Sequence, residues 1–184
     1  MAYASHRFPR CWRCSIDADH DDRLRHGRQD HTQVIRRSGA DEAETHWKIQ
    51  REACLAGLGH IFPPRQYPFP DEDVLQRWRE FGGIVLAAER DGAVVGIAGV
   101  EACWLHGFYV LPEWWGSGIA DELHDAALAA MSDCAELRLW TLTENRRARR
   151  FYEKRGWRLN GDTRVVPFPP NPVDVGYSYV REEP

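Results

Sequence analysis

A strand that runs through a glycine-rich turn directly into a helix is the feature that most restricts the fold. It spans residues 108–120, with Gly116 and Gly118 in the turn and Ala120 where the helix begins. The first N–H groups of a helix have no partner within it, and the helix dipole adds partial positive charge there. Such a turn favours phosphate binding, with a plain tight connection as the alternative. The spacing matches neither G-x-G-x-x-G nor G-K-[ST], so it does not indicate NAD or ATP.

Hydrophobic periodicity around this unit predicts one mixed α/β domain. Asp91 and Gly92 join two apolar strands in a hairpin, and Asp41 with Glu44 forms a capping box that should open a helix. The expected order is βααβββαβαββ around a single sheet. The predicted strands are 33–37, 84–90, 93–101, 104–110, 136–142, 157–159 and 174–180, and the predicted helices run from 41 to about 56, about 71 to 82, about 119 to 132 and 144 to about 155.

The composition changes near residue 32. Residues 1–32 hold four of the eight histidines and little aliphatic content, which is too little apolar surface to offset the entropy lost on ordering. We therefore predict a disordered tail over 1–32 and one globular domain over 33–184. The five cysteines are irregularly spaced, so reduced thiols are expected, with Cys54, Cys103 and Cys134 as small core residues.

Charge and hydropathy exclude several kinds of partner. The net charge of −4 and the pI near 6.1 argue against nucleic acid. No apolar run approaches the roughly 20 residues that span a bilayer, and the N-terminus does not resemble a secretory signal. We expect a cytoplasmic protein without a membrane partner. Cys11 and Cys14, with nearby histidines, offer zinc as an alternative, but a second ligand pair at defined spacing is missing, so no metal is predicted.

A second motif is more specific than the glycine turn. Residues 145–157, NRRARRFYEKRGW, resemble the second CoA-binding segment of GNAT superfamily N-acetyltransferases, N-x-x-A-x-x-F-Y-E-x-x-G-[F/W], at every defined position. Residues 115–120, WGSGIA, resemble the pyrophosphate loop of that family, [Q/R]-x-x-G-x-[G/A], except that Trp115 occupies the first position. The resemblance covers residues 33–181. It implies a GNAT-like, mostly antiparallel sheet of about seven strands flanked by four helices, with acetyl-CoA as cosubstrate.

The resemblance also implies a role for each matching residue. Phe108, Tyr109 and Val110 would lie along the pantetheine arm where strands splay, and the Val110 N–H would meet the thioester carbonyl. Asn145 would hydrogen-bond the cofactor arm, and Tyr152 would protonate or hydrogen-bond the departing thiolate. The diphosphate would lie on the loop formed by Gly116, Ser117, Gly118, Ile119, Ala120 and Asp121.

The general base is less determined by the sequence. An ammonium group must lose a proton before its nitrogen can attack, so a base or a water relay is required. Some members of the family carry Glu five residues before the Asn of the second motif, where this chain has Trp140. Glu101, at a strand end, and His106, on the strand beside the splay, remain as candidates, each with a purely structural alternative.

Two functions from different classes follow from these motifs. The first is transfer of an acetyl group from acetyl-CoA to a primary amine by direct attack in a ternary complex. The second is a non-catalytic acyl-CoA-binding module, which the missing Glu base would permit. The acceptor is expected to be a small-molecule or peptide amine, and a homodimer is compatible with the sequence.

Overall fold

The computed structural model describes residues 33–181, which form one seven-stranded sheet with helices on both faces. No helix in this range is long and apolar enough to cross a membrane. The predicted α/β fold, with seven strands and four helices, is confirmed. The strands are β1 (Gln33–Ser38), β2 (Ile84–Arg90), β3 (Ala93–Glu101), β4 (Trp104–Val110), β5 (Glu136–Leu142), β6 (Arg158–Val165) and β7 (Val173–Val180), and the helices are α1 (Ala43–Leu58), α2 (Asp71–Arg79), α3 (Ile119–Ala130) and α4 (Arg146–Lys154).

The sheet consists of two antiparallel halves joined by one parallel pair. Its strand order is β1-β2-β3-β4-β5-β7-β6. Only β4 and β5 run parallel, and the other neighbours are antiparallel. A parallel connection needs a crossover segment, which α3 provides here. The junction between the two halves is therefore the β4/β5 pair, at the start of β4.

Each face of the sheet carries its own hydrophobic core. On one side α3 and α4 pack through residues such as Leu123 and Phe151; we call this the α3/α4 face. On the other side α1 and α2 pack through residues such as Leu58 and Trp78; we call this the α1/α2 face. Strand residues alternate between the two cores, as a sheet buried on both sides requires.

A β-bulge interrupts that alternation in β4. Leu105 pairs with Val100 of β3 and Gly107 pairs with Gly99, so His106 is an extra residue between two consecutive pairs. Leu105 and Phe108, three positions apart, consequently lie in the same α3/α4 core. Bulges of this kind redirect a side chain and are common beside active sites.

The start of α1 differs from the prediction. Residues Ala40–Glu42 form a 3-10 turn, and the α-helix begins only at Ala43. The carboxylate of Glu42 accepts bonds from Arg36 at 2.8 and 2.9 Å and from Ser38 Oγ at 2.7 Å. These contacts, the one to Arg36 foremost, lower the pKa of Glu42. The predicted capping box from Asp41 was therefore wrong, because the turn is held by contacts with β1.

The expectation of reduced thiols at Cys103 and Cys134 was also wrong. These two cysteines form a disulfide with Cα atoms 5.7 Å apart, while Cys54 is a buried thiol as predicted. Cys103 immediately precedes β4 and Cys134 lies just before β5, so the parallel pairing of these strands brings the two together. A separation of 31 residues gives no sign of that neighbourhood.

Several other boundaries differ from the prediction by one to three residues, and the end of β6 differs by more. One set of predictions is untested. β6 continues to Val165 instead of ending at Leu159, because residues 160–162 leave the register with β7 and the strand then resumes at Thr163. The predicted tail over 1–32, with the zinc alternative at Cys11 and Cys14, lies outside the described residues.

Candidate active site

Hydrogen-bonded pairing between β4 and β5 stops early. Only Trp104–Arg138 and Leu105–Leu139 are paired, although β4 continues to Val110 and β5 to Leu142. We call the resulting gap the β4/β5 cleft. It is the splay that the family resemblance implies, and it leaves the adjoining strand edges available to a ligand.

The backbone of β4 exposes two residues to this cleft. Leu111 N–H donates to the Val95 carbonyl at 2.9 Å. Hydrogen bonds to one neighbour alternate along an antiparallel strand, so Tyr109 also pairs with β3. The N–H and C=O groups of Phe108 and Val110 therefore point the other way, toward β5. The side chain of Tyr109 lies in the α1/α2 core against Trp78.

Trp115 braces the open end of the cleft. Its indole N–H donates to the Val110 carbonyl at 2.8 Å. The guanidinium of Arg147, on α4, lies 3.7 Å from the centre of its ring, which is a cation–π contact. The departure from the family pattern at Trp115 thus brings a cation from another helix to the predicted diphosphate loop, an arrangement that the sequence did not reveal.

The first part of the predicted diphosphate loop, Gly116 to Gly118, is open to solvent, whereas Ile119 and Ala120 are buried. Gly116 and Gly118 have φ of +76° and +91°, and a Cβ at either would meet no atom within 4 Å. Within residues 33–181, the N–H groups of Gly116, Gly118 and Ala120 have no intramolecular acceptor, whereas that of Ile119 lies 3.4 Å from Ser117 Oγ. Glycine is needed here because other residues rarely adopt this left-handed backbone.

Two predicted loop residues are engaged within the protein. Ile119 is fully buried in the α3/α4 core. The Asp121 carboxylate forms an ion pair with Arg155, which follows α4, and its N–H donates to the Gly118 carbonyl at 3.0 Å. The side chain of Asp121 thus ties α3 to α4, and its role toward a diphosphate stays a prediction.

Asn145 combines a structural bond with an unused donor. Its Oδ1 accepts from the Ala148 N–H at 3.1 Å and so caps the N-terminus of α4. The residue is 3% exposed, and its Nδ2 has no hydrogen-bond partner among the described residues. A buried donor without an acceptor costs about 1–3 kcal/mol, which a ligand acceptor would recover.

Tyr152 lies on the same face of the sheet as Phe108 and Val110. It is 2% exposed, and its ring makes edge contacts with Phe151 and Trp157. Phe151 in turn packs against Phe108 at 5.7 Å. The position of the Tyr152 hydroxyl near the cofactor sulfur stays a prediction.

The two predicted bases lie next to each other. His106 Nε2 is 3.6 Å from Glu101 Oε2, and the His106 side chain is 10% exposed. As the bulged residue of β4, His106 is the first residue after the last pair with β5. Trp140 is the first residue beyond that pair on β5, so His106 and Trp140 flank the closed end of the cleft.

These features fit acetyl-CoA. The open amide loop suits a diphosphate, the free β4 edge suits the amides of the pantetheine arm, and the unused Asn145 donor suits a carbonyl acceptor.

Within residues 33–181, no three His, Cys, Asp or Glu side chains are grouped so that they could hold a metal ion.

Known proteins resemble this chain in sequence and in fold. Two uncharacterised N-acetyltransferases, from Mycobacterium bovis and Mycobacterium tuberculosis strain H37Rv, are each 37% identical to it over 84 residues. These matches cover 42% of this chain and 54% of the relatives, so the chain spans about half the length of the relatives it matches.

Two solved structures show the same fold. The GCN5-related N-acetyltransferase of Rhodopseudomonas palustris matches 84% of this chain and all of its own, with a TM-score of 0.68 and 17% identity. The PaiA N-acetyltransferase of Thermoplasma acidophilum, solved in complex with coenzyme A, matches 82% of this chain and 99% of its own, with a TM-score of 0.61 and 20% identity. The profile of the acetyltransferase (GNAT) family matches residues 51–157, more than half of the chain. The protein therefore belongs to the acetyltransferase (GNAT) family.

Proposed function

We propose that the protein transfers the acetyl group of acetyl-CoA to a primary amine within a ternary complex. The β4/β5 cleft is the observation that carries this proposal. It starts at an open loop of unpaired amides, passes the backbone edge of Phe108 and Val110, and closes between His106 and Trp140. Along the cleft, these three parts follow one another in the same order as the diphosphate, the pantetheine arm and the acetyl group of an extended acetyl-CoA molecule.

The chain would hold the cofactor mainly through its backbone. The N–H groups of Gly116, Gly118 and Ala120 would receive the diphosphate, with the Arg147 guanidinium nearby on Trp115. Phe108 and Val110 would pair with the amides of the arm like an added strand. Asn145 Nδ2 would donate to a carbonyl of the arm. The Phe108 N–H, which lies nearer the closed end than the Val110 N–H expected from the family, would donate to that of the thioester.

Bound acetyl-CoA supplies an activated acyl carbon, which forms a bond to the amine nitrogen as its bond to sulfur breaks. An acceptor that enters as an ammonium ion gives up two protons from its nitrogen, and we assign acceptance of the first, lost before the attack, to the His106–Glu101 pair, directly or through water. Glu101 would hold the imidazole in place and balance the charge that His106 gains. Tyr152 would donate a hydrogen bond to the departing thiolate, which takes up the second proton of the nitrogen and leaves as free CoA thiol.

A matched pair of glycine variants tests the cofactor site. Gly118→Ala places a methyl group where the diphosphate would lie. Gly161, on β6, has nearly the same φ (+89° against +91°) and equally empty surroundings, so Gly161→Ala adds comparable strain far from the cleft. By calorimetry, Gly118→Ala should weaken binding of acetyl-CoA at least tenfold and Gly161→Ala should not. Equal affinities for the two variants would contradict the assigned loop.

Release of CoA thiol distinguishes the enzyme from a non-catalytic acyl-CoA-binding module. Both would bind acetyl-CoA, but only the enzyme releases thiol when an amine is supplied. His106→Gln and Glu101→Gln should lower kcat and change its pH profile while leaving the affinity for acetyl-CoA unchanged. If both variants retain the wild-type kcat/KM across pH, this pair is not the base.

A further inference from the structure

The first turn of α4 carries charge of the sign that its position disfavours. The N-terminus of a helix has partial positive charge, so it favours anionic side chains. The first turns of α1, α2 and α3 each contain an acidic residue, whereas that of α4 contains none and begins with Arg146 and Arg147. The same helix end presents the buried Asn145 Nδ2, which has no acceptor among the described residues. A bound anion at this end of α4 would offset the unfavourable charge.

Trp115 holds the Arg147 guanidinium at the open end of the cleft. The indole is fixed by its N–H bond to the Val110 carbonyl at 2.8 Å, and the guanidinium lies 3.7 Å from the centre of the ring. Trp115 directly precedes Gly116, whose N–H has no intramolecular acceptor within residues 33–181. A guanidinium that lies over a ring keeps N–H groups at its edge, and the uncharged ring does not cancel its charge. The contact therefore places a cation beside the predicted diphosphate loop.

The acidic first turn of α3 is neutralised by other arginines. The Asp121 carboxylate forms an ion pair with Arg155, and Glu122 Oε1 lies 3.7 Å from Arg90 Nη2. The Arg90 side chain is only 9% exposed, so this cation belongs to the interior beneath α3. A diphosphate on the loop would thus meet neutralised carboxylates on the side of α3 and the Arg147 cation on the side of α4.

We propose that Arg147 binds the diphosphate of acetyl-CoA and that Trp115 is the residue that positions it. This inference rests on the proposed acetyltransfer, since it names a further residue of the same cofactor site. Together the two residues replace the Gln or Arg that the family pattern places at position 115. The polar group then comes from α4, across the open end of the cleft, instead of from the loop itself.

The test measures binding of CoA and of dephospho-CoA to the full chain by calorimetry. Dephospho-CoA lacks the 3′-phosphate but retains the diphosphate. Arg147→Gln should weaken binding of both ligands by the same factor, about tenfold or more, because a charge-assisted bond to the shared diphosphate is lost. Arg150→Gln is the matched control: it removes the same charge from an exposed position of α4, and the affinity for dephospho-CoA should change by less than about twofold.

Variants of Trp115 test the positioning role. Trp115→Leu should weaken binding of dephospho-CoA about as much as Arg147→Gln does, and the double variant should bind no more weakly than either, because both substitutions remove one contact. Trp115→Phe retains a ring and should bind within about threefold of wild type. Raising NaCl from about 0.05 to about 0.5 M should weaken binding less in Arg147→Gln than in wild type, which loss of packing alone would not cause.

Each result bears on the inference. Wild-type affinity for both ligands in Arg147→Gln overturns it and leaves acetyltransfer standing. A loss for CoA alone also overturns it, because Arg147 would then contact the 3′-phosphate. Tighter binding in Trp115→Leu would mean that the Trp115–Arg147 contact obstructs the cleft, and additive losses in the double variant would mean that Trp115 does not position Arg147. If wild type binds neither ligand, the proposed acetyltransfer fails and this inference fails with it.

Discussion

Removal of the Cys103–Cys134 disulfide should cost a large share of the stability of the domain. The bridge closes a loop with a sequence separation of 31 residues. In the chain-entropy treatment, such a crosslink lowers the entropy of the unfolded chain by about 12 cal/mol/K, or about 3.7 kcal/mol at 25 °C. Domains are stable by only about 5–15 kcal/mol, so the loss is readily measured.

The measurement is urea unfolding followed by tryptophan fluorescence, with and without a dithiol reductant. The unfolding free energy of the wild type should fall by about 3–4 kcal/mol when the disulfide is reduced. Cys103→Ser should resemble the reduced wild type in both conditions. Cys54→Ala is the control: its stability is lowered because a buried side chain is truncated, but its response to reductant should equal that of wild type.

Two outcomes would refute this reasoning. Alkylation of the unfolded, unreduced protein should leave Cys103 and Cys134 protected, and in Cys103→Ser the remaining Cys134 should become reactive. If Cys103 and Cys134 of the wild type react without reductant, the bridge does not form. If the bridge is present but reduction leaves the unfolding free energy unchanged, the constraint on the unfolded chain is not what stabilises the fold.

Three further predictions concern single side chains. Asn145→Asp keeps the oxygen that caps α4 but loses the Nδ2 donor. The affinity for acetyl-CoA, measured by calorimetry, should therefore fall about tenfold while the urea midpoint of unfolding stays the same. If affinity and midpoint fall together, Asn145 acts on stability alone. Burial lowers the pKa of His46 and His124. The unfolding free energy should therefore reach its full value above about pH 6.5 and decline below it, because the unfolded state takes up protons first. The double variant His46→Gln/His124→Gln should show a flatter dependence of the unfolding free energy on pH, measured by urea unfolding. Trp115→Phe removes the indole N–H that donates to Val110 and should lower the unfolding free energy by about 1 kcal/mol. Trp115→Leu should lower it further, because it also removes the ring that contacts the Arg147 guanidinium. Equal urea midpoints for the two variants would contradict that contact.

Local sequence signals placed most elements correctly. The bounds of β2, β3, β4 and β5 agree with the prediction residue for residue. These strands are apolar segments bounded by residues such as Asp91 and Gly92, whose positive φ of 52° and 79° ends one strand and starts the next. Signals of this kind depend only on neighbours in the chain, so they can be read without knowledge of the fold.

Signals that depend on distant partners were missed. The Glu42 side chain is held by Arg36 of β1, which moved the start of α1. Cys103 and Cys134 meet only because β4 and β5 are parallel neighbours. The bulge at His106 is likewise defined by its register with β3, and strict alternation would have placed Phe108 on the face of Trp104. The two motifs identified the family, but they could not show which side chains already have partners within the protein.

The two ends of the β4/β5 cleft are fixed by covalent and side-chain contacts, and its middle is not. The Cys103–Cys134 bridge holds the strands together just before their two shared pairs. At the other end, Trp115 bonds the last carbonyl of β4 and supports Arg147 from α4. A Gln at position 115 could donate the same bond but offers no ring for the guanidinium. Between these ends, the N–H groups of Phe108 and Val110 face the gap in pairing with β5, so an extended ligand with its own amides is the natural partner for that edge.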